Sequence, residues 1–289
     1  TGTNNIALGS NSMDALTSGI DNVGIGRNAL GVATTGCFNV AIGASALGGA
    51  ATTSIDNVAI GTGTMDALTT GICNVGIGAN ALGASTTGCT NIAIGVLALG
   101  GADTTGNCNI AIGTNTMDAL TTGIYNIAMG VNALGASTSA MGAAVTTGSK
   151  NIAIGQTAMD ALTSGSDNIA FGQTAYGQAT SGSCNFAAGK ESMGGAIVTG
   201  NNNIAIGTDA MNVVTSGSCN LSLGKAAGAG VTTQSSVINI GEGMNQTGAC
   251  ITCIGGDCLM SNQFTATSDC RSKCKIKDLP YGLSFINLL

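Results

Sequence analysis

The sequence predicts an all-β protein, a parallel β-solenoid or β-roll built from coils of about 17 residues. Three observations carry this expectation. A pentapeptide of the form Asn–apolar–small–apolar–Gly recurs along almost the whole chain, its spacing is nearly constant, and the composition suits a thin core repeated many times. Fourteen such coils stacked at about 4.8 Å give a shaft of roughly 65 Å.

The units open at Asn5, Asn22, Asn39, Asn57, Asn74, Asn91, Asn109, Asn126, Asn151, Asn168, Asn185, Asn203 and Asn220, with a degenerate last one at Asn239. The steps are 17 or 18 residues, except one of 25 between Asn126 and Asn151 and a last one of 19. Three consecutive units sum to 52, and Met13-Asp14-Ala15-Leu16 returns at that interval as Met65-Asp66-Ala67-Leu68 and Met117-Asp118-Ala119-Leu120. In the long step, alignment of Ala140-Met141-Gly142 with Ala98-Leu99-Gly100 reads as a unit that has lost ten residues and its strand. A kink or neck is therefore expected over 135–147.

Within one unit, Ile6-Ala7-Leu8 alternates as a short period-2 strand, and Gly9 closes it where a positive φ is wanted. A second short strand is expected around Ala29-Leu30, and Thr34-Thr35-Gly36 has turn chemistry. The repeated Asn would form a side-chain ladder or cap a turn, a structural role. The middle strand position is small throughout: Ala7, Gly24, Ala41, Ala59, Gly76, Ala93. A column of Ala and Gly permits close backbone approach, so this face is expected to meet sister chains in a homotrimer.

Composition excludes several function classes. The chain has 289 residues with 47 Gly, one Pro, no Trp, no His, 3% aromatic and 8% charged residues. Low charge beside 44% hydrophobic content argues against disorder. A net charge of −6 argues against nucleic acid as a partner, and no apolar run is long enough for membrane insertion. The chain begins Thr1-Gly2-Thr3, without a signal-peptide pattern, and reads as a fragment or processed product.

Without His, the common catalytic triads and His-ligated metal sites are missing, and no metal or other cofactor is expected. Asp14, Asp66 and Asp118 recur three coils apart, roughly 14 Å, too far for a shared acid–base site, and read as solvated turn residues. Cys37, Cys73, Cys89, Cys108, Cys184 and Cys219 stand one or two residues before a repeat Asn, positions that should face opposite ways, and read as small packing residues. Cys250-x-x-Cys253, with Cys258, Cys270 and Cys274, is the densest cluster; free thiols, disulfides and zinc all stay open there. The Thr-Thr-Gly pairs are turns rather than the flat Thr-x-Thr face of an ice-binding array.

The Asn-x-Ala-Ile-Gly…Ala-Leu…Thr-Thr-Gly unit, over residues 4–248, resembles two groups: the β-roll heads of trimeric autotransporter adhesins and the repeats of virus and phage fibre proteins. Ser268-Asp269-Cys270-Arg271-Ser272-Lys273-Cys274-Lys275-Ile276 is similar to the opening of the endosialidase-type intramolecular chaperone, and Leu279, Gly282, Leu283, Ile286, Asn287 and Leu289 continue that family's pattern. Lys275 stands where the family has Asn, and Cys270 and Cys274 are unusual for it. The resemblance implies a trimerising domain released by self-cleavage, with Ser268 as nucleophile and Lys273 as its general base.

Three segments are expected: a repeat shaft over 1–248, a Cys-rich transition over 249–267 and the start of a chaperone-like domain over 268–289. The resemblance implies a non-enzymatic structural fibre, self-cleavage aside. It would sit on a virion surface beside other fibre or tail proteins and support attachment to a host receptor. The alternative is the head of a trimeric adhesin on a bacterial cell surface.

Overall fold

The structure, a computed structural model, describes residues 2–135, 146–245, 248, 249, 251–255 and 257–260. Each pentapeptide forms one three-residue strand, from β1 (Ile6–Leu8) through β7 (Ile110–Ile112), β8 (Ile127–Met129) and β9 (Ile152–Ile154) to β14 (Ile238–Ile240). The strands stack in sequence order into a single sheet, each parallel to the one before it. The chain is a parallel β-solenoid of about 14 coils. Two four-residue strands finish the sheet: β15 (Ile251–Ile254) is parallel to β14, and β16 (Asp257–Met260) turns back antiparallel to β15.

The long step does not interrupt the stack. β8 pairs directly with β9, Ile127 opposite Ile152, and Leu134 N donates to Ala158 O at 2.9 Å. The step of 25 residues thus advances the sheet by one strand, as a step of 17 does. Most of the expected kink, residues 136–145, lies outside the described residues, and the coils on either side keep register.

The strand faces are opposite to expectation. Ala41, Ala59, Ala93 and Ala111 are fully buried within their own chain, so the small column is not a face that a sister subunit can reach. The flanking Val and Ile point outward; Ile77, Ile94 and Ile206 are more than one-third exposed. The physical reason is thickness. One wall of the coil is the strand, and the opposite wall delivers Leu30, Leu47, Met65, Leu82, Leu99 and Met117 into the same interior. Side chains of that size leave room for only Ala or Gly on the strand side as far as β12 (Ile204–Ile206), and for Ser222 and Asn239 in the two strands after it. Where the strand carries Gly, the fit is explicit: a Cβ on Gly76 would lie 3.0 Å from the Met65 methyl, and one on Gly24 would lie 2.9 Å from that of Met13.

The opposite wall is not the expected second strand. After each of the first thirteen strands the chain passes through a Gly near φ +130°, then two left-handed residues separated by one Ala, Ser or Thr. Gly26, Asn28 and Leu30 have φ of 130°, 57° and 51°. This left-handed pair bends the chain sharply and turns Leu30 inward. Its backbone still bonds to the next coil, as Leu30 N to Ala46 O at 3.0 Å. Asn holds the first left-handed slot at 11, 28, 80, 115 and 132, as its tolerance of that region favours. The slot's purpose is curvature, so Leu and Met accept the strain in the second one.

At the C-terminal end the register corrects one assignment. β13 (Leu221–Leu223) pairs Ser222 with Asn239, so Asn239 takes the inward small position and Val237 stands in the Asn column.

Two glycines in one coil should behave differently. Gly61 has φ +138° and a Cβ there would lie 2.6 Å from Gly78 O, so Gly61→Ala should cost about 3 kcal/mol or more. Gly63, at φ +62°, occupies the slot filled elsewhere by Asn, so Gly63→Asn should cost less than about 1 kcal/mol, the cost of turning the Asn80 carboxamide away from the new Cβ. Denaturant titration followed by far-UV circular dichroism measures both.

Candidate functional site

The described surface holds ladders and stripes rather than a pocket with convergent chemistry. The Asn column is the first ladder. Asn109 Oδ1 accepts from Asn126 N at 2.9 Å and from Asn126 Nδ2 at 3.1 Å, while Asn109 Nδ2 donates to Gly123 O at 2.9 Å. One carboxamide therefore clasps both ends of the Gly-x-x-Asn corner of the following coil. The pattern runs from Asn5, whose Oδ1 accepts from Asn22 N, to Asn220, whose Oδ1 accepts from Val237 N. It crosses the long coil unbroken, Asn151 N to Asn126 Oδ1 at 2.9 Å. From Asn22 to Asn220 these side chains are almost wholly buried. Every polar atom of the carboxamide is used internally, which leaves the column nothing with which to bind a ligand.

A second ladder, not foreseen from the sequence, runs the other way. Two residues before the Asn, the C-terminal half carries Ser149, Ser166, Ser183, Asn201, Ser218 and Ser235. Each side chain accepts from the backbone N–H of the coil before it, as Ser149 N to Ser166 Oγ at 3.1 Å and Ser183 N to Asn201 Oδ1 at 2.8 Å. A short polar residue at a fixed offset was the available signal, hidden because the N-terminal half breaks it. The Thr columns are equally self-satisfied: Thr17 Oγ1 donates to Thr34 O and Thr163 Oγ1 to Thr180 O, both at 2.9 Å.

The residue immediately before each Asn is left-handed, with φ of 58° at Cys73 and Cys184 and 60° at Cys108 and Cys219. Strand alternation therefore does not carry through this corner, and the expected opposite orientation of neighbouring Cys positions rests on a backbone that is not extended there. Cys37, Cys73, Cys89, Cys108, Cys184 and Cys219 are free thiols. Cys253 is disulfide-bonded, and its Cα partner in the terminal hairpin register is Cys258. Among the described residues no group of three metal-ligating side chains comes together. Ser268, Lys273, Cys250, Cys270 and Cys274, the residues 256 and 261–267 of the transition, and the chaperone-like segment over 268–289 lie outside the described residues.

The recurrent Asp residues are not all solvated. Asp66 and Asp118 are half-buried, each with one buried carboxylate oxygen that has no hydrogen-bond partner. The preceding coil makes room: a Cβ on Gly49 would lie 2.5 Å from the Asp66 carboxylate, and one on Gly101 would lie 3.3 Å from Asp118 Cβ. Desolvation pushes the Asp118 carboxyl up to about 6, more than the N–H groups of Ala119 and Asp118 itself offset, and it pushes Asp66 in the same direction. Asn212 fills the equivalent place beside Gly195 with an uncharged group. Tyr176 replaces Leu or Met in the left-handed core slot, and its hydroxyl accepts from Asn185 Nδ2 at 2.6 Å, stitching the core to the ladder.

Comparison with known proteins finds no family model that matches the chain and no curated protein similar to it in sequence.

A raised carboxyl stabilises the fold when protonated. That stability is fully present below the unfolded-state value near 3.9 and is lost as pH rises through about 6. The melting temperature should therefore fall between pH 5 and pH 7.5, and Asp118→Asn should flatten the decline and raise the melting temperature at pH 7.5. Calorimetry at the two pH values checks both.

Proposed function

We propose that this chain is a shaft segment of a homotrimeric fibre on a virion surface, holding a receptor-contacting element away from the particle. One observation carries the reading: the outer face of the sheet bears two columns of apolar side chains along all fourteen three-residue strands. Those columns offer twenty-eight positions, two per strand. A side chain with roughly 60–120 Å² to bury, left about one-third exposed, makes this face on the order of 800 Å². The largest apolar patch of an ordinary monomer is about 300–600 Å², and one partner of a standard interface buries about 800 Å².

The edge-to-face pair of Phe171 and Phe186, with ring centroids 6.2 Å apart, lies on this same outer face. A face so apolar and long suits copies of itself, which present the same columns at the same pitch. The C-terminal likeness to the chaperone favours a virion fibre over a bacterial adhesin head. In that reading Ser268 is the nucleophile and Lys273 the base of a single self-cleavage that frees the shaft. No turnover chemistry is proposed: the ladders consume their own polar groups.

Multi-angle light scattering on the expressed chain should give three times the monomer mass. Ile77→Lys with Ile94→Lys, on adjacent outward positions, should yield a monomer that keeps its β-sheet circular dichroism. A wild-type chain that is stably monomeric sinks the assembly. Intact-mass measurement on protein extended beyond Leu289 should show a fragment ending at Ser268; its absence removes the self-cleavage.

A further inference from the structure

We infer that the N-terminal half of the shaft carries a second self-association stripe along its coil corners, which the C-terminal half lacks. The inference rests on the oligomeric reading above and adds to it where sister chains touch. Two residues before the Asn, the N-terminal half has Ile20, Cys37, Ile55, Ile72, Cys89 and Ile124, with Thr3 and Asn107 polar. Ile55 and Ile72 are 40% and 42% exposed, and Phe38 and Tyr125, one position on, are 48% and 57% exposed. The same position beyond the long coil is Ser or Asn throughout, bonded to the coil before it. Ile offers no acceptor there. The first half therefore keeps the second ladder only where Asn107 accepts from Cys89 N and Cys89 Sγ from Ile72 N, and at its Ile positions it presents apolar surface instead; the ladder becomes continuous from the 25-residue coil onward.

The occupant has to match this stripe. It is straight, repeats at about 4.8 Å and spans six coil steps, roughly 29 Å. An added peptide strand is excluded because the corner backbone is already paired: Asp56 N bonds to Cys37 O at 3.2 Å and Cys73 N to Ile55 O at 3.1 Å. What fits is a row of side chains with the same pitch and the same end-point, which a second copy of this chain in parallel register supplies. The stripe begins two residues before the Asn that opens each outward strand, and the corner position between them is Phe38 and Tyr125 in two coils and Asp21, Asp56 and Thr90 in three others.

Three thiols make the test internally controlled. Cys73, Cys184 and Cys219 occupy the same corner position, share the same left-handed backbone and are all exposed in the single chain. The full chain is labelled for short times with a charged maleimide, and each cysteine is quantified by peptide mass spectrometry, beside light scattering of the same sample. In the assembled shaft Cys73 should label about tenfold or more slowly than Cys184 and Cys219, and all three should label alike once the chains are dissociated. Ile55→Ser with Ile72→Ser installs the side chains that the C-terminal half uses, so the coil should still fold, and it should bring Cys73 up towards the rate of Cys184. Equal labelling in a confirmed trimer overturns the stripe and leaves the trimer standing. Slow labelling of Cys73 in dissociated chains also overturns it, since protection would then come from the chain itself. A monomer by light scattering removes the oligomeric reading and this one together.

Discussion

The asparagine carboxamide is the constraint on which the stack depends. Asn22 accepts from the next Asn N–H and donates to the carbonyl of Gly36, three residues before that Asn, so it fixes both the height and the shape of the following corner. Each such bond contributes about 0.5–1.5 kcal/mol, but removing one buried partner leaves several groups unsatisfied at about 1–3 kcal/mol each. Cooperativity along the shaft then comes from nearest neighbours. The clasp has a direction, from each coil to its successor, and in the C-terminal half the Ser column answers it from successor to predecessor.

The second constraint is thinness, and it inverts the usual distribution of polarity. Asn, Thr and Ser fill much of the interior, where the Asn column and most of the Thr bond to the neighbouring coil, while Ile and Val stand outside. A globular domain of this length would bury its β-branched residues and stand alone. Here the coil interior is spent on backbone and on one Leu or Met per turn, so apolar area remains on the outside for other chains to cover. Structure and proposed role share this cause: a rod whose coils are too thin to bury their own strands is suited to being one strand of a larger rod.

Much of this was legible in the sequence, and the failures have physical reasons. The Asn period, the parallel stacking and the coil-closing Gly follow from spacing alone, because a ladder demands one residue type at one height. The inside–outside assignment failed because strand alternation fixes two faces but not which is which. Only the bulk of Leu30, Met65 and Leu82 on the opposite wall decides that, and their inward aim depends on left-handed backbone that no propensity for Leu or Met suggests. The missing strand of the long step shows in the sheet as β8 paired directly with β9, because the ladder counts corners and the step between Asn126 and Asn151 has one. Asn239 was misplaced by two residues because a degenerate motif was trusted over a step of 17, which lands on Val237. The half-burial of Asp66 and Asp118 had a signal in the Gly-Gly pairs one coil earlier, at 48–49 and 100–101.

Two of these fits have a consequence for how such a rod acquires its length. Asp66 fits because Gly49 stands beside it in the coil before, and Asp118 fits beside Gly101 in the same way. Both fix which coil type precedes the one that carries the Asp. Duplication of one such coil would set a carboxylate against a side chain, whereas duplication of 52 residues preserves both matches. A rod of this design that lengthens by three rungs, about 14 Å at a time, keeps those fits intact.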